Sequence, residues 1–358
     1  MCTSAHRITK FAKGDAVAVH VGVLHPSFGH ELQWIDDFAP EEAGFVFHKV
    51  APPDVKEISW HERGAVTTGR EWLNHFRYAL NAVRFDFDVI VTNFPQLAFA
   101  VCFWKLLLRK HVKVVSWSFN LGSVSSTFKG RLAGLPLRAA DLLIVHSQEE
   151  IGIYSAWLSL PKERFLFVPL QRGVVQVETY DTGDKPFLVS LGSAGRDYST
   201  LFAAVAGQDQ RVIVVAKPDV LAGLDVPSNV EVLNGLSLLE CQSLASRAVA
   251  GVVPISNLDT ASGQVSFLML MALGVPVIVT DCPGSRDYLI DGHDALIVPP
   301  GDTDALRLAI LKVWKNEDFR KRLAENSLLS WRERFSDEAA GVNLVRALAK
   351  AVQEPAIH

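Results

Sequence analysis

Short apolar runs recur along this chain, separated by longer stretches that mix polar and apolar positions. The runs Ala16 to Val23, Gly44 to Val50, Asp88 to Thr92, Val112 to Trp117, Asp141 to His146 and Arg164 to Pro169 are rich in Val, Ile and Phe. They are apolar on both faces, as strands covered on two sides must be. The segments between them, such as Arg70 to Val83 and Gln96 to Arg109, are long enough for helices. Strands alternating with helices predict a parallel sheet with a helical layer on each side.

A polar stretch from Gln171 to Lys185 breaks the pattern, which then restarts. The second series is Phe187 to Leu191, Arg211 to Ala216, Val230 to Leu233, Ala250 to Pro254, Val275 to Thr280 and Ala295 to Val298. Helices follow back to back at Asp304 to Lys315, Glu317 to Phe335 and Asp337 to Val352, with Asp302 and Ser336 as N-caps. The expectation is an α/β protein of two doubly wound, Rossmann-like domains, 1–175 and 176–335. A last helix within 336–358 has no strand after it and is expected to pack back on the first domain. Sheets of this kind take ligands at the carboxyl ends of their strands, so function is sought in the strand-to-helix loops around a central cleft.

Composition narrows the class without naming it. The 358 residues are 49% apolar and 21% charged, the profile of a folded soluble enzyme of about two domains. The first 25 residues lack an apolar signal core, and the most apolar window, Val89 to Leu108, is interrupted by Asn93, Pro95, Gln96 and Lys105, so no transmembrane helix is expected. Cys2, Cys102, Cys241 and Cys282 lack paired spacing and read as reduced thiols in a cytosolic protein.

The net charge of -4 divides unevenly. Residues 1–175 carry 19 Lys/Arg against 16 Asp/Glu, and the rest 16 against 23, so the halves stand at +3 and -7. No acidic residue lies between Asp88 and Asp141, where Lys105, Arg109, Lys110, Lys113, Lys129, Arg131 and Arg138 fall. With Phe103, Trp104, Leu106, Leu107 and Leu108 nearby, the segment suits a peripheral anionic membrane surface, against the plainer reading of a solvated basic face. No stacking motif points to nucleic acid.

Three loops of the second half carry candidate chemistry. Gly192-Ser193-Ala194-Gly195-Arg196 follows a strand, where small residues admit a phosphate and Arg196 supplies a permanent charge with a planar donor fork. Lys217 ends the next strand. The Gly-rich run Ala261-Ser262-Gly263-Gln264-Val265-Ser266 opens a helix, whose first N–H groups suit a diphosphate. Each loop alone also reads as an ordinary turn. Their convergence on one sheet edge favours the anion site.

The ordered set Gly192 to Arg196, Asn234-Gly235-Leu236-Ser237, Val253-Pro254-Ile255-Ser256, Ser262-Gly263-Gln264, Ala272-Leu273-Gly274-Val275-Pro276, Asp291-Gly292 and Val298-Pro299-Pro300-Gly301-Asp302 resembles the GT-B glycosyltransferases of family 4. The resemblance covers roughly 186–335. It implies a retaining, metal-independent hexosyltransferase with a UDP- or GDP-linked nucleotide-sugar co-substrate and no other cofactor. The donor would lie in the second domain and a lipid-linked or glycan acceptor in the first, as in surface polysaccharide (exopolysaccharide) biosynthesis. The implied place is cytoplasmic, peripheral on the inner face of the cell membrane.

By the same resemblance, Arg196 replaces the family's pyrophosphate-binding lysine beside Gly192 and Ser193, with Lys217 assisting. Leu236 and Ser237 hold the base, and Ser262, Gly263, Gln264, Val265 and Ser266 grip the distal phosphate or sugar. Met269 stands where the family usually has a ribose-binding glutamate. In the first half, His30 lies in the loop after the first strand. Asn120 lies where many relatives place a catalytic histidine, and His146 closes a strand. The departure at Met269 keeps a second reading open, a non-catalytic GT-B subunit that binds or activates a partner transferase. A sugar-nucleotide epimerase is a third.

Overall fold

The computed structural model describes residues 18–26, 33–53, 67–121, 124, 134–256 and 261–353. They fall into two compact units. One holds the described residues up to His146 with Ile151–Val168 and the chain from Gly341 onward; the other holds Ser147–Glu150 and Pro169–Ala340.

The first unit is built on a six-stranded parallel sheet in the order β2-β1-β3-β4-β5-β6. Its strands are β1 (Val19–Leu24), β2 (Phe45–Val50), β3 (Val89–Asn93), β4 (Lys113–Trp117), β5 (Leu142–Val145) and β6 (Phe165–Phe167). Helices α1 (Gly69–Val83), α2 (Pro95–Leu107) and α3 (Gln148–Leu158) follow β2, β3 and β5. Thr68 and Glu71 close a reciprocal capping box on α1, and Pro95 opens α2 where a missing N–H costs nothing. Strands β3 and β5 are buried at every position, which is why their sequences read as unbroken apolar runs.

At the amino edge of this sheet Lys105 is buried and ion-paired to Asp141 at 2.7 Å, while also donating to the Ala139 carbonyl. Asp141 further accepts from the Val114 N–H and lies 3.5 Å from Lys113, and Lys110 lies 3.7 Å from Asp86. Three cations of the acid-free segment are therefore matched by carboxylates that flank it. Arg109 is exposed, Arg138 is half-buried, and Lys129 and Arg131 lie outside the described residues.

The second unit repeats the plan with six parallel strands in the order β12-β11-β10-β7-β8-β9. These are β7 (Phe187–Leu191), β8 (Arg211–Val215), β9 (Val230–Leu233), β10 (Ala250–Val253), β11 (Val277–Thr280) and β12 (Leu296–Val298). The helices are α4 (Tyr198–Val205), α5 (Leu238–Ser246), α6 (Gln264–Ala272), α7 (Thr303–Lys315) and α8 (Glu317–Arg334), and α9 (Asp337–Gln353) continues into the first unit. Asp302 caps α7 through the Ala305 N–H, and Ser336 accepts from the Ala339 N–H at the start of α9.

Strand order reverses between β7 and β10, which pair directly through Ala250 with Leu188 and Gly251 with Val189. The loops leaving these two strands pair with each other, the Asp197 N–H donating to the Pro254 carbonyl at 3.1 Å and the Ser256 N–H to the Gly195 carbonyl at 3.0 Å. The carboxyl edge at such a reversal is the crevice where doubly wound sheets usually take ligands.

Candidate anion site at the carboxyl edge of the second sheet

The loop after β7 is shaped by its glycines. Gly192 has φ of 115° and Gly195 of 61°, conformations that favour glycine. A Cβ on Gly192 would lie 2.9 Å from an Arg196 guanidinium nitrogen, so the guanidinium occupies the space a larger residue would need. Asp197 ends the loop by capping α4 through the Thr200 N–H. Desolvation opposes its charge, but hydrogen bonds from Ser199 and Thr200 outweigh it and hold its pKa below the ordinary carboxylate value.

Arg196 is clasped by both sides of the crevice. Its Nε donates to the Leu191 carbonyl at 3.3 Å, one terminal nitrogen to the Ala194 carbonyl at 3.0 Å, and the other to Ser266 Oγ at 2.8 Å. Ser266 Oγ in turn donates to the Leu191 carbonyl at 3.2 Å. The end of β7 and the first turn of α6 are thus tied through one guanidinium. Burial lowers the Arg196 pKa from its ordinary value, with Tyr198 and Cys282 acting against that shift. Among the described residues no carboxylate pairs with Arg196. A desolvated guanidinium bound only to neutral oxygens retains a charge that an anion can complement.

Across the crevice α6 starts at Gly263, which has φ of 88° and supplies no side-chain cap. The first-turn N–H groups of Gln264 and Val265 carry the positive end of the helix dipole. The single helical turn Pro283–Arg286 braces this start: a Cβ on Gly284 would lie 2.5 Å from the Ser262 carbonyl oxygen. Thr280 Oγ1 accepts from the Ile255 N–H, and Tyr198 Oη donates to the Gly192 carbonyl at 2.5 Å. Tyr198, Thr280 and Gly284 shape the site in roles the sequence does not assign, because nothing local marks a tyrosine whose hydroxyl turns back six residues.

The other expected residues distribute as follows. Lys217 is exposed, and its backbone N–H donates to Ser193 Oγ at 2.9 Å, which brings the loops after β7 and β8 together. Leu236 is half-buried; Ser237 is the N-cap of α5, in a capping box with Glu240. Ser262 and Ser266 are partly exposed, Gln264 is buried and Val265 exposed. Met269 is buried at 5% exposure among Phe267, Leu268, Leu270 and Met271, and a thioether offers ribose hydroxyls only a weak acceptor. Asn120, in the first unit, is exposed after β4. His30 lies outside the described residues. His146 is buried between the Val168 carbonyl (2.7 Å) and Ser118 Oγ (3.1 Å), and burial lowers its pKa.

Comparison with known proteins bears on the fold and on part of the second half. The family model described as Glycosyl transferases group 1 matches residues 224–329. An uncharacterized glycosyltransferase of Methanocaldococcus jannaschii is 29% identical over 127 residues, 36% of this chain and 34% of that protein, so the match spans about a third of the relative. Among solved structures, Anabaena HepE in complex with UDP superposes with a TM-score of 0.65 at 14% identity over 92% of this chain and 99% of the other. Sucrose-phosphate synthase from Thermosynechococcus elongatus gives 0.63 at 17% identity, over 93% and 98%. The chain accordingly has the α/β fold of GT-B glycosyltransferases, and residues 224–329 are similar to glycosyl transferases group 1.

Proposed function

We propose that the protein is a retaining hexosyltransferase of the GT-B class, related to family 4, acting on a nucleotide-sugar donor. One observation carries this reading: Arg196, desolvated and without a carboxylate partner among the described residues, faces the uncapped start of α6 across the strand-order reversal. HepE, with the same fold, is recorded in complexes with UDP and with UDP-glucose. On this reading the donor diphosphate lies between Arg196 and the N–H groups of Gln264 and Val265, with Lys217 at the open side. Leu236 would lie against the base.

Transfer breaks the bond between the anomeric carbon and the diphosphate oxygen and forms one to the acceptor oxygen, while the acceptor proton passes to the departing phosphate. Negative charge grows on the diphosphate as it leaves. Donors fixed beforehand at that position stabilise the transition state more than the bound substrate. Arg196 is fixed in this sense, since its hydrogen bonds to Leu191, Ala194 and Ser266 are already made. The acceptor in this proposal is lipid-linked or membrane-proximal, Asn120 and His30 belong to its side, and the setting is polysaccharide assembly at the inner face of the membrane.

A second reading rests on Met269. With an apolar residue buried at the ribose position, a GT-B subunit that binds a nucleotide weakly and serves a partner transferase also fits. Calorimetry with UDP, GDP and their hexose conjugates separates the two. Binding accompanied by slow donor hydrolysis, both lost in Arg196→Gln, supports the enzyme; no heat with any of them overturns it.

A further inference from the structure

The first unit contains a cavity that the donor chemistry does not use. It has a volume of about 420 Å³ and is lined by Trp72, Phe76, Gln96, Phe99, Leu121 and Trp157, among others. Apart from the Gln96 amide and the indole nitrogens, its walls are aromatic or aliphatic. Pro95 and Gln96 follow β3 after Phe94, and Leu121 follows β4, so the cavity lies at the carboxyl edge of the first sheet. Ligand pockets are characteristically apolar with a few placed polar groups, and this one has the size to take a small molecule.

Two features identify what would fill it. The aromatic wall of the cavity continues along the helix surface as an apolar track: Trp72 packs on Phe99 at 5.4 Å and Phe76 on Phe103 at 5.2 Å. Phe99, Phe103, Leu106 and Leu107 follow at one-turn and two-turn spacing along α2. Leu106 and Leu107 are 54% and 60% exposed, so the track ends in open apolar surface. The second feature is Arg138, next to the cavity-lining Leu137. Its Nε is buried without a hydrogen-bond partner, and among the described residues no carboxylate pairs with it. A long aliphatic chain fits the cavity and track, and an anionic head fits a guanidinium that no carboxylate among the described residues neutralises.

We infer that this cavity is a binding site for an anionic amphiphile, with the aliphatic chain between α1 and α2 and the head group near Arg138. The inference deepens the acceptor half of the function proposed above and rests on that reading for its biological role. It assigns the acceptor's chain to a specific place: the aromatic cluster of α1 and α2.

The test is quenching of tryptophan fluorescence by 12-bromododecanoate on the full chain, below the concentration at which the probe forms micelles. Trp72 and Trp157 line the cavity, so bound bromine should quench them in a saturable way. Gln96→Phe fills the cavity without adding charge and should weaken binding by about tenfold or more. Arg138→Gln should weaken the carboxylate probe several-fold and leave neutral 12-bromododecanol unchanged. Circular dichroism melting shows that each variant is folded, and Leu121→Gln, which makes the wall polar at another point, provides a second disruption if Gln96→Phe does not fold. Displacement by dodecyl phosphate and by farnesyl phosphate then ranks straight alkyl against isoprenoid chains, either ranking supporting the site. Quenching that never saturates, or that both cavity variants leave unchanged, overturns the inference. Equal effects of Arg138→Gln on both probes overturn the head-group assignment. No nucleotide is present in this assay, so its failure is distinct from failure of nucleotide binding at Arg196.

Discussion

Arg196 combines two roles that are usually separate. It holds the crevice together through Leu191, Ala194 and Ser266, and it presents the charge that an anion would meet. Removing it should therefore cost both. Arg196→Gln is expected to lower turnover by about a hundredfold or more, as for loss of a fixed transition-state donor. It should also cost about 1–3 kcal/mol of stability in the second unit, from buried acceptors left unpaired. Steady-state kinetics and urea unfolding measure the two effects independently. Asp36 gives a second residue-scale expectation. Burial raises its pKa from 3.8 to about 6, with Lys49 lowering it and Asp37 raising it. Below pH 3.8 the group is protonated whether folded or not and contributes no penalty. Between about pH 4 and 6 the folded state still holds the proton that the unfolded chain releases, so stability falls as pH rises through this window and stays lower above it. Asp36→Asn removes the titration. Its advantage over the parent protein should be larger at pH 7 than at pH 4, as read from urea midpoints.

At the scale of elements, the start of α6 is held by close approaches that only glycine permits. Gly284 lies against the Ser262 backbone, with both its oxygen and nitrogen within 2.7 Å of where a Cβ would stand. Backbone cannot move aside as a side chain can, so Gly284→Ala should cost about 1–3 kcal/mol and shift the Ser262 loop, weakening nucleotide binding. Gly251→Ala meets the Leu270 side chain as far in as its Cγ, a group that can rotate where backbone cannot, and should be milder. Thermal unfolding and nucleotide titration of the two variants, compared side by side, check the order. Elements of this kind were largely legible in the sequence. The buried strands were found because a doubly covered strand must be apolar throughout, as β5 and β10 are, and the capping residues Asp302 and Ser336 because a helix start needs an acceptor. Arg196 and the Ser262 to Ser266 loop were legible as residue types suited to phosphate. Less legible was anything set by tertiary contact. The Arg196 bond to Ser266 spans 70 residues, the cavity beside α1 and α2 depends on how two aromatic stripes meet, and Lys105 reads as a surface cation until Asp141 is seen beneath it. That pair also corrects the picture of the acid-free segment, whose cations are partly neutralised by carboxylates lying just outside it.

At the scale of the molecule, each unit has its own sheet and core, so ligand effects should be separable. A bound nucleotide at about a hundred times its Kd should stabilise the second unit by about 2.7 kcal/mol. For a unit of this size that corresponds to a melting shift of roughly 5–10 °C. Scanning calorimetry with UDP and GDP should show it in the parent protein and not in Arg196→Gln. The order of strands in the second sheet bears on how this chain can be cut. The family match begins at residue 224, after β7 and β8, yet β7 is the strand that pairs with β10 and β8 the one that pairs with β9. A fragment trimmed to the matched boundaries would lose Arg196, strip β10 of β7, one of its two neighbours, and leave β9 with no partner strand at all. Such exposed strand edges invite pairing between copies. Recombinant production of that fragment should yield aggregate where a fragment beginning before Phe187 stays in solution, because the smallest piece of this half that can fold is set by the sheet and not by the recognisable motif.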